Sequence, residues 1–271
     1  MSIPMATLSR IDEAEDRFEP LADALRLAVL REYEQTGSVL SGASGLRTLE
    51  TNSGLAARRG NALLALLARH EPQLALDGLK LLDLGCGFGS LAVYLAYLGA
   101  EVTAVDVSAR RLVVGEQVAR QFELPVTWIH GSLQELPLPD RSFDLAVLNN
   151  SLCYVVARPE RLISLVHIRR VLHPGGRLLM RNPNRTGLRD PFTGLPGLNR
   201  LPPRAAQAGA RSIGRHRSHV RLLSARAQRA ELQRVGFEVL DISAAQRRTI
   251  KPIDRWAASY QHVLARRPPV P

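Results

Sequence analysis

From Leu79 onward, short runs dense in Leu, Val and Ile alternate with longer stretches that carry apolar residues at helical spacing. Leu79–Leu84, Glu101–Val105, Val126–His130, Phe143–Asn149 and Arg177–Asn182 read as strands. Between them Ser90–Leu98, Ala109–Phe122 and Pro159–Leu172 read as helices, the last leading into a turn at Pro174-Gly175-Gly176. Strands and helices in this rhythm imply right-handed crossovers and a parallel, doubly wound α/β sheet.

The pattern differs on either side of that core. Residues 1–78 read as an N-terminal helical segment, with apolar periodicity in Leu21–Leu30 and Asn61–Leu67. A connector rich in Gly, Ser and Thr lies between them at Thr36–Gly54. After the fifth strand the rhythm breaks, because Pro183–Pro203 holds prolines 183, 191, 196, 202 and 203, too many for a regular element. Residues 183–223 therefore read as an insertion within a domain spanning 79–271. A helix at Ser224–Val235 and strands at Phe237–Ile242 and Ser259–Ala265 complete a count of seven strands.

Composition narrows the class. Aromatic residues make up 5% of the 271, which favours helices on a Val/Leu-rich sheet over a β-sandwich. No run of 18 apolar residues marks a membrane span, and the start has no basic-then-apolar signal segment. Cys86 and Cys153 are the two cysteines, and no Cys/His cluster has zinc spacing, so a metal is not expected. A reduced, cytoplasmic protein is the expectation.

The formal charge of +11 is unevenly spread: residues 1–157 carry 13 basic and 19 acidic side chains, and residues 158–271 carry 23 and 6. Lys80 and Lys251 are the only lysines, so the excess is arginine, which grips phosphate and carboxylate in a bidentate fork. Either a solvated basic face or a surface for an anionic partner explains it. Within the insertion, Arg211 and Arg215, and Arg217 and Arg221, are four apart and would share faces if helical; Arg204, His216 and His219 lie near them.

The candidate chemistry begins at Asp83-Leu84-Gly85-Cys86-Gly87-Phe88-Gly89, a glycine loop that follows a strand and opens a helix. Glycines there let a ligand approach the backbone. Their G-x-G-x-G spacing, with an acid two residues ahead, argues against a nicotinamide dinucleotide site. Asp106 closes the second strand, where a carboxylate can accept from both hydroxyls of a ribose. Ser108 suits the N-cap of the next helix, leaving Asp106 available.

Leu81–Gly89 resembles motif I of class I S-adenosylmethionine (SAM)-dependent methyltransferases, and Val105-Asp106-Val107-Ser108 resembles their ribose-binding strand end. Leu136–Pro139, Ser142–Leu145, Arg169–Gly176 and Val235-Gly236-Phe237 extend the resemblance in the proper order. It implies a seven-stranded, mostly parallel sheet with an antiparallel last strand, and SAM as cofactor. By position, Gly85, Cys86 and Gly87 would line the methionine portion, with Asp83 near its amino group. Asp106 would hold the ribose and Val107 would lie against the adenine. Ser132 stands where many members have an Asp that reads the adenine, with Leu133 following. Asn149 would sit beside the sulfonium. Cys153-Tyr154 replaces the histidines many members carry; Tyr154 can orient or deprotonate a hydroxyl, or serve as an aromatic wall. His130, His167 and His173 read as structural.

The resemblance implies methyl transfer to a small-molecule acceptor, a hydroxyl favoured, on a sugar, lipid head group or quinone-like ring. The arginines leave an anionic acceptor and peripheral membrane contact open. Nucleic acid is disfavoured: Asn149-Asn150-Ser151-Leu152 lacks the Pro-Pro-aromatic end of base-methylating enzymes, and the basic stretch lacks interleaved rings. A non-catalytic SAM-binding protein is the remaining alternative.

Overall fold

The computed structural model describes residues 18–37, 49–50, 52–214, 217–243 and 260–269. They belong to two compact units, Met1–Ser132 with Phe143–Leu145, and Leu133–Ser142 with Ala146–Pro271.

In the first unit, α1 (Glu19–Gln35) buries Leu21, Ala22, Leu25 and Val29, one stripe of the helix. Helix α2 (Ala56–His70) starts earlier than the periodicity of Asn61–Leu67 predicts. Its Gly60 leaves room for the ring of Tyr94, which a Cβ would approach to 2.5 Å. The next residue, Asn61, accepts the buried Tyr94 hydroxyl through Oδ1, and Phe18 meets the same ring edge-on at 4.8 Å. Tyr94 belongs to α3 (Ser90–Tyr97), so one satisfied aromatic ring joins two helices and the segment before α1.

Strands β1 (Lys80–Leu84), β2 (Glu101–Asp106) and β3 (Val126–His130) pair in parallel, Leu84 opposite Val105 and Asp106 opposite His130. Leu81, Leu82, Leu84, Val102, Ala104 and Val105 are all buried. Apolar side chains on consecutive positions are what a parallel strand with both faces covered requires. Helix α4 (Ala109–Gln121) opens on Ser108, whose hydroxyl accepts from the Arg111 amide, as its place before the helix predicts.

The second unit contains Ala146–Asn149 of β4 (Phe143–Asn149), α5 (Arg158–Val171), β5 (Leu172–Pro183), α6 (Pro203–Arg211), α7 (Ala225–Arg234), β6 (Glu238–Ser243) and β7 (Tyr260–Arg266). Strand β7 runs antiparallel to both β5 and β6. The sheet has the order β3-β2-β1-β4-β5-β7-β6, the seven-stranded, mostly parallel architecture expected.

Three local expectations are corrected. Pro174-Gly175-Gly176 is not a turn: β5 is extended from Leu172, with Gly175 at φ +83° absorbing the bend. Arg267 fixes this stretch through backbone bonds with Gly175 and Gly176, and its guanidinium takes the carbonyls of Arg169, Arg170 and Leu172. Those carbonyls end α5, so a residue about 97 positions away caps the helix.

Of the connector at Thr36–Gly54, residues 38–48 and 51 lie outside the described residues, whereas Leu49, Glu50 and Asn52 are helical rather than linker.

Of the paired arginines of the insertion, Arg217 and Arg221 do not share a helix, because the backbone from Arg217 to Leu222 is irregular. Helix α6 ends at Arg211, and its counterpart Arg215 lies, with His216, outside the described residues. Arg217 is buried, its Nε donating to Asp190 Oδ2 at 2.9 Å. Asp190 Oδ1 accepts from the amides of Phe192 and Thr193 and from the Thr193 hydroxyl. Nearby, Asn199 Nδ2 donates to the carbonyls of Asn184, Arg185 and Gly187. A proline-rich stretch without a sheet ladder satisfies its backbone through buried Asp and Asn side chains.

Candidate cofactor-binding site

At the carboxyl end of β1 the chain leaves the sheet through three glycines with positive φ, Gly85 (+68°), Gly87 (+60°) and Gly89 (+75°). The amides of Gly85 and Cys86 both donate to the Val105 carbonyl, which ties the loop to the end of β2. A Cβ on Gly87 would meet nothing within 4 Å, so its side faces open space. A Cβ on Gly89 would lie 2.3 Å from the Trp128 ring. Gly115 shows the same contact from inside α4, at 2.5 Å. Trp128 on β3 is thus clamped between two glycines, and it escaped the sequence reading. A glycine in mid-helix, which costs about 0.5–1 kcal/mol against alanine, was the available signal.

Gly89→Ala is expected to destabilise the fold by about 2–3 kcal/mol, combining left-handed strain with displacement of the indole. Urea unfolding measures it. A loss below about 0.5 kcal/mol would show that the indole is not held as described.

Asp106 is buried at the end of β2 and faces the loop. Its Oδ2 accepts from the Gly87 amide at 2.8 Å and its Oδ1 from the Ser108 amide at 2.9 Å. These bonds fix the carboxylate while each oxygen keeps a further lone pair for a hydroxyl. Asp83 lies at the base of the loop with its Oδ2 buried and without a hydrogen-bond partner. Burial, then the neighbouring Asp106 charge, push its carboxyl up to about 7, opposed by a hydrogen bond with the Ala92 backbone at the start of α3. Burial and the same two carboxylates raise the Cys86 thiol well above its usual range, so it is protonated at neutral pH.

Beyond Asp106, Val107 is 67% exposed, and its carbonyl lies 3.0 Å from a ring nitrogen of His130. The Gly131 amide donates to the Asp106 carbonyl, holding the chain that leads to Ser132 close to the end of β2. Asp83, Gly85, Cys86, Gly87, Asp106, Val107 and Ser132 belong to the first unit; Leu133 opens the second and is buried there.

In the second unit, Asn149 ends β4 and its Oδ1 accepts from Arg181 Nη1 at 3.4 Å. Arg181 stacks on Tyr260, 3.6 Å from the ring centre, and its carbonyl takes the Asn150 amide. Asn150 sits at φ +61°, a conformation asparagine tolerates. Tyr154, on the short 3-10 turn Leu152–Tyr154, is 54% exposed. Burial pushes the neighbouring Cys153 thiol to about 12, which leaves no thiolate nucleophile at neutral pH.

The first-unit loop fits the cofactor the resemblance implies. Gly87 opens onto space, an unmatched buried carboxylate oxygen of Asp83 awaits a cation or donor, and the Asp106 carboxylate stands at the end of β2. Fold and loop together resemble those of class I, Rossmann-like, SAM-dependent methyltransferase domains.

Comparison with known proteins agrees: residues 82–180 match the family profile described as a methyltransferase domain. Over 110 residues the chain is 37% identical to the ubiquinone biosynthesis O-methyltransferase of Roseobacter denitrificans, covering 41% of this chain and 42% of that protein. It is 38% identical over 102 residues to the demethylmenaquinone methyltransferase of Staphylococcus aureus, covering 36% and 41%. The matched segments thus span about two fifths of these relatives' length.

Among solved structures, the [4+2]-cyclase SpnF is similar with a TM-score of 0.54 and 26% identity, over 79% of this chain and 82% of that one. A SAM-dependent methyltransferase from Mesorhizobium loti shares the fold with a TM-score of 0.55 and 23% identity, over 75% and 97%.

Proposed function

We propose that this protein transfers a methyl group from SAM to a hydroxyl of a small-molecule acceptor that carries an acidic group. The observation that carries the reading is the loop after β1, with Asp106 bound to the Gly87 amide and Asp83 holding one unmatched buried oxygen. When bound, SAM supplies a methyl group already activated on a sulfonium. In this reading Gly85, Cys86 and Gly87 line the methionine portion and Asp83 faces its ammonium. Asp106 accepts from the ribose, and Val107, Ser132 and Leu133 border the adenine.

Asn149 is the residue the resemblance assigns to the sulfonium, and its Oδ1 accepts from Arg181. Tyr154 is the residue we assign to the acceptor, as a hydrogen-bond partner or wall. Acceptor choice falls to the N-terminal segment 1–78 and the insertion 183–223. Alignment of acceptor and methyl can supply about 7–11 kcal/mol of the barrier reduction, so a strong general base is not required.

The O-methyltransferase name of one relative supports a hydroxyl acceptor, and the quinone chemistry in both names supports a ring. Among the described residues no helix is long and apolar enough to cross a membrane. Both thiols are free, in keeping with a reducing, cytoplasmic setting.

Calorimetry with SAM and its demethylated product tests the cofactor. Asp106→Ala is expected to weaken SAM by about 2–3 kcal/mol through two lost charge-assisted bonds, and unchanged affinity would remove the ribose assignment. SAM bound tightly but never turned over, on any hydroxylated ring or sugar offered, would favour a SAM-binding protein with other chemistry.

A further inference from the structure

Between the start of α5 and the start of α7, within the second unit, lies a cleft of about 440 Å³. Arg158, Arg161, Arg221 and Glu231 line it with Val156 and Leu223, so three guanidiniums face one carboxylate. That carboxylate is already engaged. Arg161 donates Nε and Nη2 to the two oxygens of Glu231 at 3.1 and 2.8 Å, and Nη1 to the carbonyls of Val155 and Val156. This buried pair is scaffold, with its donors used.

Arg158 is a different case, 57% exposed and 3.7 Å from Glu231, beyond hydrogen-bonding distance. Arg221 is half-buried; its amide is fixed to the Cys153 carbonyl, and its guanidinium takes no partner among the described residues. An arginine held by its backbone at a cleft, with its fork unmatched, is the donor set that grips an acidic group.

A second observation points the same way. A narrow recess, with room for about one water, shares Arg161, Arg221 and Leu223 with the cleft. Asn182, 6% exposed at the end of β5, lines it, and its Oδ1 has no hydrogen-bond partner. A buried acceptor left unmatched costs free energy unless something donates to it.

We propose that this cleft binds an acidic small molecule. Its phosphate or carboxylate oxygens rest on Arg221 and Arg158, and a hydroxyl or a bridging water donates to Asn182 Oδ1. The apolar wall of Val156 and Leu223 takes the body of the ligand. The site stands whether or not methyl transfer does; its identification as the acceptor's anchor rests on the reading above.

Titration of the full chain at low ionic strength with inorganic phosphate, and separately with acetate, tests it calorimetrically. Saturable binding of at least one anion is expected, weakened roughly tenfold by Arg221→Gln with the unfolding midpoint unchanged. Preference for phosphate identifies a phosphate ester as the ligand class, and preference for acetate a carboxylic acid. Non-saturating heats with both anions, or wild-type affinity in Arg221→Gln, would overturn the proposal. SAM titrated into the wild-type chain in the same buffer reads the methyl-transfer proposal independently, so the two can fail separately.

Discussion

Asp190→Asn is expected to cost about 3–5 kcal/mol of stability, because it leaves the Arg217 charge buried without its counter-ion. Arg217 and Asp190 have side-chain exposures of 1% and 0%, so water cannot take over the lost partner. Arg217 already has one buried nitrogen, Nη1, without a hydrogen-bond partner, and one of its faces lies 6.0 Å from the Phe192 ring centre. Asp190 Oδ1 also accepts from the Phe192 and Thr193 amides, an acceptor that asparagine keeps, so the loss falls on the ion pair made by Oδ2.

The double variant Asp190→Asn with Arg217→Met should recover most of the loss, since an apolar side chain of similar length removes the unpaired charge. Urea unfolding of both variants decides the matter. A single-variant loss below about 1 kcal/mol would mean that the pair is not buried as described. Replacing Arg211, which ends α6 on the surface, should by contrast fall within about 0.5 kcal/mol.

The second large effect concerns Asp83. Its carboxyl is pushed from 3.8 to about 7, so between those values the folded cofactor-free protein holds a proton that the unfolded chain has released. Stability therefore falls as pH rises through that window and is level above it. Three units correspond to about 4 kcal/mol over the whole window. Asp83→Asn keeps the shape, removes that slope, and should stabilise the cofactor-free protein above pH 7 by up to this amount.

Binding should move oppositely. A cationic ammonium beside Asp83 favours the charged carboxylate, so SAM binding below pH 7 releases a proton and weakens as pH drops, by up to tenfold per unit. Asp83→Asn should lose both the proton release and most of the affinity. Calorimetry at pH 6 in two buffers of different ionisation enthalpy counts the protons. Zero release would separate Asp83 from the cofactor's amino group.

What the sequence determined by itself is chemistry carried by neighbours along the chain. Gly85, Gly87 and Gly89 declare their loop because a positive φ is a property of single residues. Asp106 and Ser108 follow within a few positions of a strand end. The strand and helix rhythm fixed the α/β class for the same reason, since burial on one or two faces writes a short period into the chain.

The tertiary structure alone decided which charges are buried. Arg161 and Glu231 are 70 residues apart, Arg217 and Asp190 are 27, and Arg267 reaches carbonyls 95 to 98 positions away. Sequence spacing would put Arg217 on one face with Arg221 if the segment were helical; packing put one in the interior and the other in a cleft. An arginine carries the same formal charge in either place. Its energetics depend on the local dielectric and on partners brought from elsewhere in the chain, and neither is encoded by its neighbours.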